Sequence, residues 1–290
     1  MNLFLIVVRF VHFGSAMALF GASVFLAALA PPLLRAQVAP PLKRIIVVAS
    51  VAAAVSAALW LLLEAGLMTG DWRAALQTDA LAAVLEETGF GHVWRARLAL
   101  ALLLLVLAFW RGVPPAIIAA LSGLFLASLG LVGHAAMLEH AAGLFERANQ
   151  ALHLLAGGFW LGALPPLLIC LRRLGEPGFE AQAGVALRRF SGLGHVAVAA
   201  VLATGIANTF MILGWPPTNF ASPYQASLAM KILTVAAMIL LALYNRYQLA
   251  PRLALKPEAR LALARNTAIE IGLGGVVLAL VSVFATFDPA

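Results

Sequence analysis

Six histidines and seven methionines carry most of the chemistry open to this sequence. His134, Met137 and His140 fall at steps of three residues, so on a helix they lie about one turn apart and drift around only part of the circumference. His12 and His153 open two similar stretches, HFGSAMALFGA and HLLAGGFWLGA, and each histidine is followed nine residues later by Gly-Ala. Imidazole binds Cu(I) and Cu(II), and thioether sulfur selects the soft Cu(I). His12, His134 and His153 therefore suit a copper ion, with Met137, His140, Met68, Met211, Met230 and His92 as neighbouring ligands. Zinc more often brings carboxylate or thiolate, and magnesium or calcium wants oxygen clusters. A redox alternative is also open. Histidines from facing helices can hold a haem b, with His12 against His153 or His134 as the axial pair. The same residue types also serve structurally, a histidine by bridging two helices and a methionine by filling an apolar gap.

These groups must be positioned by helices in lipid. Of 290 residues 63% are hydrophobic and 11% charged, and the mean hydropathy is +0.99. A soluble domain carries roughly a quarter charged residues. That composition excludes a water-soluble globule, a disordered chain and a disulfide scaffold, since Cys170 has no second thiol. The net charge of +7 sits in short clusters between apolar runs, where it reports orientation and not nucleic-acid binding.

A helix needs about 20 mainly apolar residues to cross the hydrocarbon, with its backbone groups satisfied within the segment. Eight runs qualify: residues 3–30, 45–69, 93–110, 115–138, 150–171, 187–213, 223–248 and 267–287. Prolines mark many of the joins, among them Pro31, Pro40, Pro41, Pro114, Pro177 and Pro251. The first run lacks a basic leader and reads as a retained span. The connection over about 70–92 is acidic and is predicted to form a short surface helix. The odd-numbered connections hold 13 Lys and Arg against 5 in the even-numbered ones, counting the first turns of the helices that follow. The basic set should face the cytoplasm, which puts both termini in the periplasm and most of the histidines toward the outer face.

The echo at His12 and His153 is spaced by 141 residues. A second one pairs FWR, ending at Arg111, with YNR, ending at Arg246, each about fifteen residues after a basic residue, Arg97 or Lys231. The expected organisation is therefore two parallel four-helix repeats, residues 1–141 and 142–290, making one integral membrane domain. Intramembrane polar residues are functional hypotheses by default. Glu64 could move protons or attract a cation, and Glu270 could pair with a base or with Asn245. Asn208 could face a pathway, and Met17, Met238 and His195 could form an inner relay. Arg9 and Lys231 are read as reaching to the interface, and most tryptophans as interfacial anchors. No nucleotide loop, HExxH or serine elbow is present, which argues against an enzyme.

Five stretches together resemble the copper resistance protein D family, CopD, of bacterial inner membranes. They are RFVHFG, LVGHAA around His134, ALHLLAGGFWLGALPPL, RRFSGLGHVAVAAVLATGIANTFMIL and MKILTVAAMILLALYNRYQLAPRL. The resemblance implies an all-α polytopic membrane protein that moves copper across the inner membrane. It also implies a small periplasmic copper-binding partner of the CopC type, supplied separately here. Carried over residue by residue, it implies copper-associated roles for His12, His134 and His153, and structural or gating roles for Lys231, Asn245, Arg246 and Glu270.

Overall fold

A computed structural model describes residues 2–70, 73, 76–132, 140–176, 178–214, 217–253 and 257–287. The described chain is helical throughout: α1 (Asn2–Val24), α2 (Pro32–Thr69), α3 (Thr78–Glu87), α4 (Gly89–Phe109), α5 (Pro115–Ala127), α6 (His140–Arg173), α7 (Glu180–Leu213), α8 (Pro223–Tyr244) and α9 (Pro257–Phe284). Seven of these helices, with their short extensions, are long and apolar enough to span a membrane. The expected fourth span appears as the shorter apolar stretch Pro115–Leu131, and residues 133–139 of that run lie outside the described residues. The chain is an all-α, multi-pass membrane protein.

The helices outrun their apolar cores. α2 has 38 residues and measures about 57 Å at 1.5 Å per residue, against about 30 Å of hydrocarbon. Pro40 and Pro41, expected to mark a join, lie inside α2. They sit in its basic first third, before the apolar run, where carbonyls left unpaired by the missing N–H groups can meet water. Pro165 and Pro166 are likewise inside α6, where neighbouring helices can satisfy the freed groups. α6, α7 and α9 begin about seven to ten residues before their expected starts, with charged residues such as Glu180, Glu258 and Arg260 in the added turns. The surface helix expected in the acidic connection is α3, and the Thr88 hydroxyl caps the helix after it by accepting from the Gly91 N–H at 2.9 Å.

α1 and α6 form the centre. α1 packs on α2, α5, α6 and α9, and α6 on α1, α5, α7 and α9. They cross at Gly21 and Gly162, where a Cβ on either would strike the other helix's backbone. Close approach through small residues supplies dispersion contact that lipid cannot. In the most apolar stretch of α6, 61% of the residues are buried within the protein, against 17% in α7 and 11% in α8.

The periphery is uneven. α2 packs closely on α4, whereas the backbones of α7 and α8 approach less closely among the described residues and their side chains meet around Trp160. The chain leaving α1 passes through a π-helical turn, Phe25–Leu29, before Pro31 and Pro32. Its unpaired carbonyls are met by basic residues of α2 and α7: Arg35 donates to the carbonyls of Ala27 and Ala30, and Arg189 to those of Ala28 and Leu29. Cations at a helix C-terminus complete its hydrogen bonding and favour its dipole.

Candidate metal centre

His12 is fully buried between α1, α2, α4 and α5. Arg97 on α4 donates from Nη2 to His12 Nε2 at 2.6 Å. An imidazole nitrogen that accepts leaves the other to carry the proton, so Nδ1–H donates to Ser56 Oγ on α2, 2.9 Å away. Both ring nitrogens are thereby used. Trp60, Trp94 and Phe125 enclose the ring at centroid distances of 5.4, 5.9 and 5.4 Å.

Arg97 is 1% exposed and bonds on through Nη1 to the Phe125 carbonyl at 2.7 Å and to the Ser128 hydroxyl. Its guanidinium lies 5.1 Å from the Trp94 ring and 4.5 Å from Phe125. No carboxylate pairs with it among the described residues. A buried charge is costly unless its donors are satisfied. Here carbonyl, hydroxyl and imidazole meet Nη1 and Nη2 and two π faces flank the guanidinium, while Nε has no hydrogen-bond partner among the described residues; the charge in turn holds α1, α4 and α5 together.

His153 occupies the corresponding place on α6 with a different outcome. The Thr204 hydroxyl on α7 donates to the Ala200 carbonyl, so it accepts from His153 Nδ1–H at 2.9 Å and leaves the lone pair on Nε2. No hydrogen bond to that nitrogen occurs among the described residues, and the side chain is half-buried. Gly205, whose Cβ would lie 3.5 Å from the ring, leaves room beside it. One turn outward, Asn149 donates to the Thr204 carbonyl at 3.0 Å and to Asn208 Oδ1 at 2.7 Å, and Asn208 donates to Gln150 Oε1 at 2.7 Å. Lys231 on α8 is close enough to His153 to act on it electrostatically, and its Nζ lies 5.7 Å from the Phe284 ring.

Seven residues further along α6, two turns on the same face, the buried Trp160 lies beside Glu270 of α9. Asn245 donates to Glu270 Oε1 at 2.6 Å, and Asn266 to Asn245 Oδ1 at 2.8 Å. Met238 is buried against Trp160. Asn245 opens a π-helical turn, Asn245–Leu249, a geometry frequent at functional sites. Arg246 bonds the Ser191 hydroxyl, and His195 donates from Nδ1 to the Ser191 carbonyl while its Nε2 accepts from Tyr247.

The other expected ligands are scattered. Met68 and Met230 are more than half exposed, and Met211 lies on α7 about two turns beyond Thr204. Met17 lies at the α1–α6 crossing. His92 is exposed and donates from Nε2 to the Glu86 carbonyl at 2.8 Å. His134 and Met137 lie outside the described residues, as does the side chain of His140. Among the described residues no three His, Cys, Asp or Glu side chains gather as a metal cluster. Glu64 accepts from the Trp60 indole at 2.9 Å and pairs with Arg9 at 3.7 Å. Arg9 also donates from Nη1 to the Ala285 carbonyl, just past the end of α9, at 3.0 Å. Trp60 and Trp94 are core residues and not interfacial anchors, because each indole N–H finds a partner inside the protein.

Sequence reasoning noticed Arg97 only as part of an echo, and Ser56 not at all. The available signal was a basic residue inside an otherwise apolar span.

Residues 1–144 match the profile of the copper resistance protein D-like N-terminal domain, and residues 184–284 that of copper resistance protein D. Inner membrane protein YebZ of Escherichia coli (strain K12) is 35% identical over 98% of this chain and 98% of its own. Copper resistance protein D of Pseudomonas syringae pv. tomato is 28% identical over 98% of this chain and 96% of its own. Copper transport protein CutJ of Bacillus subtilis (strain 168) is 27% identical over 75% of this chain and 40% of its own. No solved structure matches the chain.

Proposed function

The chain belongs to the copper resistance protein D family, and on that footing we propose that it carries copper across the bacterial inner membrane, from periplasm to cytoplasm, through a His and Met site near the periplasmic face. The carrying observation is His153: an imidazole whose Nδ1–H is held by Thr204 and whose Nε2 has no hydrogen-bond partner among the described residues. Fixing one ring nitrogen by hydrogen bond raises the quality of the other as a metal ligand. His134, Met137 and His140, with Met211, Met230, Met68 and His92, are the proposed companions on the outer side. Inward, the face of α6 leads from His153 past Met238 and Trp160 to Glu270 and Asn245. These groups, with Met17, His195, Lys231 and Arg246, are the proposed relay and gate. Glu64, held by Arg9, and Asn208, held in the amide cluster, are proposed to shape the outer entrance.

The proposed architecture is two parallel four-helix halves, 1–141 and 142–290, with both termini periplasmic and a CopC-type protein as copper donor. Transport is the proposed activity, without a catalysed reaction. A haem b is a poorer fit to these residues: His12, one of the proposed axial pair, has Nε2 engaged by a buried guanidinium.

The test is metal analysis with an optical spectrum of the purified protein, together with copper accumulation in cells. Bound copper without a Soret band, and loss of both binding and accumulation in His134→Ala/His153→Ala with membrane insertion intact, is the expected result. Unchanged copper in that double variant removes these residues from the site, and a Soret band would replace copper transport with electron transfer.

A further inference from the structure

We propose that the two halves carry diverged copies of one cation–imidazole–hydroxyl unit, and that only the second copy, at His153, exchanges a metal, while the first, at His12, is a locked structural brace. The metal part of this inference rests on the copper reading above; the divergence of the two histidines does not.

The two units correspond member by member. His12 and His153 are 141 residues apart, as are Gly21 and Gly162 at the crossing of α1 and α6. Each histidine uses Nδ1–H to hold a hydroxyl on the next long helix, Ser56 on α2 or Thr204 on α7, at 2.9 Å in both cases. Each has a basic residue from the long helix after that, Arg97 on α4 or Lys231 on α8. Equivalent residues meeting across a close helix crossing is what a pseudo-two-fold axis along the membrane normal requires.

The differences all run one way. In the first unit the cation is an arginine, whose rigid fork reaches imidazole, carbonyl and hydroxyl at once. It takes the lone pair a metal would need, and α2 and α4 close over it with Trp60, Trp94 and Phe90 in mutual ring contact. A cation arriving at His12 would meet a fixed positive charge and no vacant donor. In the second unit the cation is a lysine on a flexible stem, with no hydrogen bond or ion pair among the described residues. The imidazole Nε2 has no hydrogen-bond partner among the described residues, and the backbones of α7 and α8 approach each other less closely than those of α2 and α4. Past the histidine, α6 brings Trp160 beside the buried Glu270 of α9 in the second unit, while the residue that corresponds to Trp160 on α1 is Leu19. The second copy thus keeps an unengaged ring nitrogen among the described residues and an inward continuation; the first keeps neither.

The ligand class follows from the same groups. A neutral imidazole beside an ammonium favours a singly charged soft ion, because repulsion by the ammonium doubles for a divalent one. The site is therefore assigned to Cu(I), for which Ag(I) is an air-stable probe, ahead of Cu(II) or Zn(II). Lys231 acts as a displaceable cation that lowers affinity while it stays near the ring.

The experiment uses the full chain in detergent with two readouts. Without metal, diethyl pyrocarbonate labelling followed by peptide mass spectrometry should modify His153 at least tenfold faster than His12. With Ag(I), His153→Ala should weaken binding at least tenfold and Lys231→Met should tighten it, while His12→Gln should leave it within a few-fold. The Gln amide can still accept from Arg97 and donate to Ser56, so that variant keeps the fold testable. Equal labelling of the two histidines, or a loss of silver in His12→Gln as large as in His153→Ala, overturns the proposal. A parent chain that takes no Ag(I) overturns the soft-metal assignment, while the labelling pattern decides the divergence independently.

Discussion

Gly162→Ala should separate the two central helices, and the structure sets the scale of the effect. A Cβ at Gly162 would fall on the Met17 carbonyl and 3.1 Å from the Gly21 Cα, and all of these atoms are backbone. Carbon atoms in contact settle near 3.5–4.0 Å, so α1 must retreat by roughly 1 Å along the crossing. Overpacking of a tight core costs about 1–3 kcal/mol, and the upper end applies because no side chain can rotate away. With about 2–4 °C of melting temperature per kcal/mol at this chain length, the expected fall is about 5–10 °C. Gly157 supplies an internal control on the same helix. Nothing lies within 4 Å of a Cβ there, and Ala in place of Gly in a helix gains about 0.5–1 kcal/mol. Cys170, free and fully buried, provides the reporter: a thiol-reactive fluorophore in detergent labels it as the bundle opens. Gly162→Ala should label at markedly lower temperature than the parent, and Gly157→Ala at the same temperature or higher. The double variant Gly21→Ala/Gly162→Ala should cost less than the sum of the singles, because both relieve one shared contact. A Gly162→Ala protein that melts with the parent, or above Gly157→Ala, would refute the backbone-contact account of the crossing.

Glu270→Leu strands the amide donor of Asn245 and should cost about 1–3 kcal/mol, whereas Glu270→Gln retains an acceptor and should cost less, with equal melting temperatures counting against the network. Outside the spans, hydrogen bonds of 2.7–3.0 Å from Arg173 hold the Glu176 carboxyl below the usual glutamate range. Its small stabilising effect is therefore present above the ordinary glutamate pKa and lost as pH falls through the lower folded value. A carboxyl carbon NMR titration should show the low midpoint, and Arg173→Gln should restore the ordinary one; the pair is too exposed to move thermal stability. A topology reporter fused at the C-terminus should read periplasmic, and one inserted near Gly175 cytoplasmic. The reverse pattern would invert the access assigned to every proposed ligand.

Much of the architecture was open to a reader of the sequence. Lipid leaves a spanning segment no water to bond with, so the apolar runs had to be helices whatever their neighbours were, and the spans emerged where hydropathy put them. Their ends were less legible. Basic and acidic turns such as residues 180–186 and 257–266 continue as helix beyond the apolar run, and hydropathy does not register them. The 141-residue spacing of His12 and His153 was also visible, because it is a spacing in one dimension.

What the sequence could not show is how those two histidines differ. Arg97 reaches His12 across 85 residues and Phe125 across 28, and nothing in the composition of either span says that one imidazole accepts at Nε2 and the other, among the described residues, does not. The closure of α2 on α4, and the less close backbone approach of α7 and α8, are likewise outcomes of packing among helices that all read as equally apolar. The sequence alone determined a helical membrane protein with repeated histidines, because the cost of an unpaired peptide group in lipid is local to each segment. Only the tertiary structure decided that Arg97 engages the His12 ring at Nε2 while the His153 ring has its one hydrogen bond, among the described residues, to Thr204, because hydrogen-bond satisfaction of a buried ring depends on side chains brought together from distant helices.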